Sequence, residues 1–371
     1  MTARRVSAVG YYFGHGLNQE LKIPIGCVQS ARGNTRIEPW VSASGFRMVP
    51  ELADYSKGID MFIPSTAIGR QTQQESIQKV ADWMTAAKAA AEAGRLLPRL
   101  PDLPWPGNSD GTPCALYNGM IAPLVPFGIK GAIWYQGELN GGYAWDGGLE
   151  RSEGMSYDPK MQALIGGWRN AFGVGDFPFY YVQLPTYWKP NTDAAGGDGW
   201  AKLREAQRKA LEIPHTGMAM MIDIGIKPAY NDIHPRNKFD VGERLALWAL
   251  ARDYGKTGLV CSGPLYKAIK VEDGKIRISF DSTGSGLMVG RKENVKPTVK
   301  DNAQLKGFAI AGEDKQWVWA DAVIDGQTVV VSSPEVPKPV ATRYAYRTNP
   351  EGCNLYNNEG LPASPFRTDD W

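Results

Sequence analysis

The sequence predicts an α/β fold, a parallel sheet with helices on both faces, followed by an antiparallel β module. Short apolar runs alternate with helical segments as far as about residue 255, which is the pattern of βαβ units. From residue 256 onward, short runs of alternating polarity are separated by Gly and Asp-Gly turns, as in antiparallel sheets. We therefore expect two domains, 1–255 and 256–371.

The elements of the first domain follow in regular order. The predicted helices are 6–20, 69–94, 158–172, 200–212 and 236–253. The predicted strands are IPIGCVQ (23–29), KGAIWY (130–135), PFYYVQL (178–184) and GMAMMID (217–223). The clearest helix is 69–94, where an apolar face is predicted and Gly94 stands where a C-terminal cap belongs. That face comprises Ile77, Val80, Trp83 and Met84.

Composition excludes several classes of function. Lys and Arg number 41 against 39 Asp and Glu, so the net charge of +2 predicts neither a nucleic-acid nor an anionic membrane partner. No apolar run approaches the ~20 residues of a membrane helix, and the first residues lack the pattern of a signal peptide. The four cysteines are far apart and form no CxxC pair, so we expect neither a zinc knuckle nor a redox pair, with buried free thiols or one disulfide as the alternatives. We expect no metal and no organic cofactor.

Three polar clusters follow predicted strands. They are QSARGNTRIEPW (29–40), QGELN (136–140) and IGIKPAYNDIHP (224–235). In an open parallel sheet, ligands bind beyond the carboxyl ends of the strands. The clusters therefore predict one rim carrying one site.

His234 is the best candidate for catalysis among the three histidines. It precedes Pro235, which suits the first turn of the next helix, where an imidazole should be neutral and able to accept a proton. Asp232 lies two residues earlier and is placed to orient the ring. The alternative is a surface-loop histidine. His15 and His215 are expected to have no chemical role.

Hydrogen-bond donors for an oxyanion are expected on the same rim. Gln136 follows a strand, and the N–H groups around Gly33 and Asn34 are further donors. Turn formation is the alternative explanation of these residues. Glu38 and Glu138 are two carboxylates that suggest glycosidase chemistry or, more simply, a role in holding loops through backbone N–H groups.

Several blocks resemble the bacterial sialate O-acetylesterases and related carbohydrate acetylesterases. The three main blocks are IGCVQSARGNTRIEPW, GAIWYQGELN and NDIHPRNKFDVGERLALWAL. Further matches are ALYNGMIAPLVPFGIKG, LREAQ and GLPASPFRTD, so the resemblance covers nearly the whole chain. It implies an SGNH-hydrolase-like α/β/α sandwich in which a serine attacks an acetyl ester.

The resemblance also implies roles for individual residues. It places the general base on His234 and oxyanion donors near Gly33 and on Gln136. The usual SGNH spacing is Asp-x-x-His, whereas Asn231 occupies that position here and Asp232 is one residue closer. We therefore select Asp232 as the acid, although its spacing from His234 departs from the family pattern.

The nucleophile is the largest departure from the family. Its Gly-Gln-Ser-Asn block occurs nowhere in the 371 residues, and we expect the chain to be the C-terminal portion of an acetylesterase. Ser30 follows a predicted strand and is the fallback nucleophile in this chain.

We expect the substrate to be an O-acetylated carbohydrate, either sialic acid or an acetylxylan or xyloglucan type of polysaccharide. Arg32 stands where the family often has Trp and can pair with a sugar carboxylate. Glu138 is a second polar contact. Four loop aromatics either stack on sugar or belong to the core, namely Tyr143, Trp145, Tyr187 and Trp188.

Two alternative functions of other classes remain, a non-catalytic carbohydrate-binding protein and a glycoside hydrolase built on Glu38 and Glu138.

The resemblance implies export to the periplasm or beyond. The oligomeric state is left open.

Overall fold

The structure is a computed structural model that describes residues 6–104, 107, 109–142, 154–225 and 232–371. The chain forms two compact units. The first comprises Met1–Arg36, Gly128–Met161 and Val174–Trp371, and the second comprises Ile37–Phe127 and Gln162–Gly173. Residues 255 and 256 both fall in the first unit, and a domain boundary between them stays a prediction.

The described helices and strands alternate in the first half of the chain, and strands dominate the second half. The helices are α1 Ala8–Leu21, α2 Ala43–Met48, α3 Ala53–Asp60, α4 Ala67–Glu92, α5 Glu138–Gly141, α6 Tyr157–Phe172, α7 Gly199–Lys209 and α8 Lys238–Arg252. The first strands are β1 Ala132–Trp134, β2 Phe179–Gln183 and β3 Thr216–Met220. The later strands are β4 Leu265–Glu272, β5 Lys275–Asp281, β6 Leu287–Arg291, β7 Val299–Lys300, β8 Phe308–Ala311, β9 Trp317–Trp319, β10 Asp321–Asp325, β11 Thr328–Ser332, β12 Ala341–Tyr344, β13 Leu355–Asn357 and β14 Phe366–Arg367.

The first unit contains the predicted parallel sheet. Its order is β1-β2-β3, with every pair parallel. Alternate residues of β2 face opposite layers: Tyr180 and Val182 pack in the apolar cluster that includes α1 and α8, whereas the Tyr181 hydroxyl donates to the Gln207 carbonyl on α7 at 2.7 Å. Helices thus cover both faces, and the α/β/α prediction is confirmed.

The predicted strand 23–29 is wrong. The structure assigns no strand there, and most of the segment is exposed. It lies against α1, where the Cys27 thiol donates to the Gly10 carbonyl at 3.8 Å and Ile25 packs on the edge of the apolar cluster. A strand requires a hydrogen-bonded neighbour, and none of the described strands pairs with this segment.

Helix α4 is confirmed, but its predicted apolar face is exposed. Ile77 is 70% exposed, and Val80 and Met84 are exposed as well. The buried positions are instead small residues such as Ala87 and Ala90. Periodicity located the helix correctly but did not identify the side that is buried. Gly94 has φ +63° just beyond the helix end, so the predicted cap position is left-handed.

The C-terminal part is antiparallel, as predicted. Its sheets have the orders β10-β11-β5-β4, β14-β12-β8-β9 and β13-β6-β7. Their inner faces share one apolar cluster with residues such as Ile278, Phe308 and Val329 at its centre. Within the described residues, no helix is both long and apolar enough to cross a membrane.

Candidate active site

The side chain of Gln136 lies just beyond β1 and is bonded on both sides. Its Nε2 donates to the Thr35 carbonyl and to Asn140 Oδ1, each at 3.0 Å. Its Oε1 accepts from the Tyr157 hydroxyl at 2.8 Å. Both amide hydrogens are therefore engaged, and Gln136 would have to exchange one of these bonds to donate to an oxyanion.

The next residue must be glycine. Gly137 has φ +153°, a conformation that side chains other than glycine rarely adopt. A Cβ at this position would also lie 2.8 Å from the Leu203 side chain and 3.3 Å from Gln207 Nε2. The turn therefore brings the start of α5 tightly against α7, which fixes the direction of the following carboxylate.

Glu138 opens α5 and is mostly withdrawn from solvent. Burial raises the pKa of its carboxyl above the ordinary value of 4.5. Its own backbone N–H and that of Gly137 oppose the rise, as do the charges of His234 and Lys238. Glu138 of the 136–140 cluster therefore lies within electrostatic reach of His234, which belongs to the 224–235 cluster.

His234 is paired with Asp232. The ring Nδ1 lies 3.3 Å from Asp232 Oδ1, and the same oxygen accepts the His234 backbone N–H at 2.8 Å. The second contact closes an Asx turn, a local motif that favours this placement of the carboxylate. The imidazole is 75% exposed, so its Nε2 side is accessible.

Helix α8 starts later than predicted. Asn237 is its N-cap, and Asn237 Oδ1 accepts the Asp240 N–H at 3.1 Å. Pro235 is therefore outside the first turn, and His234 lies four residues before Lys238. Because the effect of a helix dipole fades within one turn, the expected influence of this helix on His234 loses its basis.

Lys238 occupies the first position of α8. Burial lowers the pKa of its ammonium, whereas the charges of Glu138 and Asp232 raise it. The ammonium also lies 5.3 Å from the centre of the Tyr135 ring. Sequence reasoning missed this cation, although its position four residues after His234 placed it close by.

The 32–35 turn is exposed at its first three residues, whereas Thr35 is buried and attaches the turn to β1 through Gln136. Asn34 is left-handed, with φ +58°, and the Thr35 hydroxyl donates to the Arg32 carbonyl at 2.9 Å. Gly33 is exposed, and no atom lies within 4 Å of a Cβ built on it. Ser30 precedes this turn and is partly buried.

The loop aromatics have different environments. Tyr187 is buried and meets the Trp200 ring edge-on at 4.5 Å, so it belongs to the core. Trp188 is partly exposed, has φ +66°, and its carbonyl accepts from Asn349 Nδ2 at 2.6 Å. Tyr143 and Trp145 lie outside the described residues.

Arg204 fixes the loop that carries Trp188, and sequence reasoning missed it. Its side chain is fully buried on α7 and donates to four carbonyls, two in each of two loops. The acceptors are Leu184 at 2.8 Å, Pro185 at 2.5 Å, Arg347 at 2.7 Å and Thr348 at 2.8 Å. Burial lowers its pKa to about 10. In the sequence, only the family-like block LREAQ, which contains Arg204, pointed to this residue.

Three further candidates have other environments. Glu38 belongs to the second unit, where it is buried and accepts from the Tyr55 hydroxyl at 3.3 Å. His215 is exposed just before β3, at the end opposite to the rim. His15 lies on α1. The described residues contain no group of three side chains suited to hold a metal.

Comparisons with known proteins agree on one family. The profile described as "Carbohydrate esterase, sialic acid-specific acetylesterase" matches residues 109–251. A crystal structure of a carbohydrate acetylesterase from Xanthomonas citri has 34% identity and a TM-score of 0.74, covering 100% of this chain and 67% of that one.

Curated sialate O-acetylesterases align along almost the whole chain. The protein from Rattus norvegicus is 30% identical over 386 residues, which cover 97% of this chain and 63% of the relative. The Homo sapiens protein is 26% identical, with 97% and 60% covered. The chain thus spans less than two thirds of these relatives.

Proposed function

Because the chain belongs to the sialate O-acetylesterase family of carbohydrate esterases, we propose that it removes O-acetyl groups from carbohydrate with His234 as general base. The observation that carries the proposal is the His234–Asp232 pair beside Glu138 at the rim of the parallel sheet. An exposed imidazole whose Nδ1 faces a carboxylate has the arrangement that base catalysis requires.

The proton would move through Nε2. With Nδ1–H directed to Asp232, the lone pair on Nε2 is left to accept the proton of a serine hydroxyl as that oxygen attacks the acetyl carbonyl. His234 then returns the proton to the departing sugar oxygen. A water activated by the same nitrogen attacks the acetyl-enzyme, and acetate leaves.

Two carboxylates are available to stabilise the imidazolium. Asp232 contacts the ring directly, and Glu138 acts on it through space. We assign the orienting role to Asp232 because its oxygen lies 3.3 Å from Nδ1. Lys238 supports this cluster by favouring the ionised form of Glu138.

The developing oxyanion needs donors on the same rim. The backbone N–H of Gly33 is the donor we favour, since its turn is attached to β1 through the bond between Thr35 and Gln136. Gln136 contributes either by positioning that turn or by exchanging one of its bonds for the oxyanion.

The proposed substrate is an O-acetylated carbohydrate. Arg32 is exposed at the turn and suits the carboxylate of a sialic acid, whereas a neutral acetylated polysaccharide would not use it. Trp188 and Glu138 are the proposed sugar contacts, and Trp145 is a further candidate outside the described residues. Export is part of the proposal on the family resemblance alone.

The attacking serine is identified by fluorophosphonate labelling and peptide mapping of the purified chain. Label on Ser30 that is lost in both Ser30→Ala and His234→Ala would assign the nucleophile to this chain. Label on another serine that is also lost in His234→Ala would identify that serine as the nucleophile. A folded chain without label would show that none of its serines, Ser30 included, acts as the nucleophile.

Acetate release from O-acetylated sialic acid and from acetylated xylan tests the reaction itself. The proposal requires acetate to appear while glycosidic bonds stay intact, and His234→Ala to remove this activity. Binding without acetate release would favour a carbohydrate-binding protein instead. Shortened sugar chains would favour a glycoside hydrolase.

A further inference from the structure

The sheet β14-β12-β8-β9 has one face in the core and one face outside it. Phe308, Ile310 and Tyr344 belong to the core cluster, and Val318 packs against it. Because side chains alternate along a strand, the residues next to these in sequence point to the opposite face. On that face, cross-strand pairing aligns four residues in one row: Arg367 pairs with Arg343, Arg343 with Ala309, and Ala309 with Trp319.

Alanines on β8 leave room for an arginine to lie beside an indole. Ala309 and Ala311 are the β8 residues on this face, and Ala311 pairs with Trp317. The Arg343 guanidinium lies 3.9 Å from the centre of the Trp317 ring. Arg343 is buried and forms a two-oxygen ion pair with Asp369. The position of Trp317 is thus fixed from one side.

Trp319 is held in the same way. The guanidinium of the buried Arg347 lies 4.3 Å from its ring centre, so one side of the indole is covered. Its Nε1 donates to the Thr192 carbonyl at 3.2 Å. The residue is nonetheless 42% exposed, which leaves the remaining indole surface to solvent.

A third indole continues the surface. Trp371 is 40% exposed, and its ring lies 6.4 Å from that of Trp317. The Lys315 ammonium lies 5.0 Å from the Trp371 ring. We call Trp317, Trp319 and Trp371 the indole row. Each of its rings is contacted by a cation, and Asp369 balances part of this positive charge.

We propose that the indole row binds an acidic glycan chain, at a surface distinct from the candidate active site. Indoles fixed in place by buried arginines lose little freedom when a sugar ring stacks on them. The exposed Lys315 ammonium beside Trp371 complements a sugar carboxylate. The Thr192 contact joins the row to the loop that carries Trp188.

The choice of a glycan as ligand rests on the proposed function, but the binding test does not require esterase activity. Affinity electrophoresis in gels containing acetyl-free polysialic acid measures retardation of the intact chain, with acetyl-free xylan as the neutral polymer. We expect polysialic acid to retard the chain more strongly than xylan. Failure of acetate release would leave this result untouched.

Variants separate stacking from folding. Trp319→Ala should weaken binding to polysialic acid by about tenfold, whereas Trp319→Phe should retain most of it because a ring remains. Tyr11→Ala removes an exposed aromatic ring from α1 and should leave binding unchanged. Thermal unfolding of each variant confirms that the fold is retained.

Three results would overturn the proposal. One is the absence of retardation by polysialic acid. A second is equal binding by Trp319→Ala and the unaltered chain, and the third is equal retardation by xylan, which would remove the acidic preference. Self-association that disappears in Trp319→Ala without any glycan binding would assign the indole row to contact between copies instead.

Discussion

The side-chain amide of Gln136 donates to the main-chain carbonyl of Thr35 at 3.0 Å, across 101 residues of sequence. This bond attaches the 32–35 turn to the end of β1. A residue expected to act on substrate thus also holds the protein's own backbone, and the two roles can be separated by measuring stability and activity together.

Gln136→Ala should reduce the free energy of unfolding by about 2 kcal/mol, because it removes three buried hydrogen bonds, those with the Thr35 carbonyl, Asn140 Oδ1 and the Tyr157 hydroxyl. Urea unfolding measures this loss. Gln78→Ala, at an exposed position on α4, is the matched control and should change stability by less than about 0.5 kcal/mol. Equal effects of the two substitutions would contradict the buried network.

Asp232→Asn and Asp232→Ala separate the charge of Asp232 from its turn. Asparagine retains an oxygen that accepts the His234 N–H, whereas alanine removes it. If the carboxylate stabilises the imidazolium, both variants should release acetate about 100-fold more slowly or worse. Acetate release by Asp232→Asn close to that of the unaltered chain would shift the role to Glu138.

Glu138→Gln should raise thermal stability at neutral pH. Folding raises the pKa of the Glu138 carboxyl, so the folded state binds this proton more tightly than the unfolded state does. The stability gained from the tighter binding is present below the ordinary Glu pKa and is lost as the pH rises through the raised pKa. The gain of Glu138→Gln should therefore be present near about pH 8 and vanish near about pH 4.

Thermal unfolding across this pH range tests the sign. Glu313→Gln, at an exposed loop position, is the control and should show no such dependence. A constant difference between Glu138→Gln and the unaltered chain at all pH values would refute the assigned cause. Because Glu138 faces His234, slower acetate release should accompany the gain in stability.

Arg204→Lys should cost about 3 kcal/mol, despite keeping the charge, since an ammonium cannot reach four carbonyls from one position. Lys209→Ala, at an exposed position on the same helix, should be nearly neutral. Chemical unfolding measures both. A loss below about 1 kcal/mol for Arg204→Lys would show that the two loops are held by other contacts.

The sequence predicted most of the sheet and its helices because their signals are local. β1, β2 and β3 are apolar runs, and α8 has a regular apolar stripe. Segment 23–29 has the same apolar character, but whether it forms a strand depends on a neighbour that no local pattern reveals. The exposed face of α4 has a similar cause, since periodicity does not say what a helix packs against.

The contact between His234 and Asp232 could be predicted from the sequence, whereas the residues that hold the surrounding loops could not. A short motif contains both His234 and Asp232. Arg204 was missed because a polar residue on an amphipathic helix normally faces water, and its acceptors lie about 20 and about 143 residues away. Gln136 was recognised as a donor, but its long-range partner Thr35 was not.

The bonds of Gln136 and Arg204 also bear on the order of folding. They join segments separated by 101 and 143 residues, whereas helical contacts span only a few. Long loops close late because their entropy must be lost before the contacts are gained. A refolding chain can therefore recover its helical content while the turn at Gly33 and the loop of Trp188 are still unanchored.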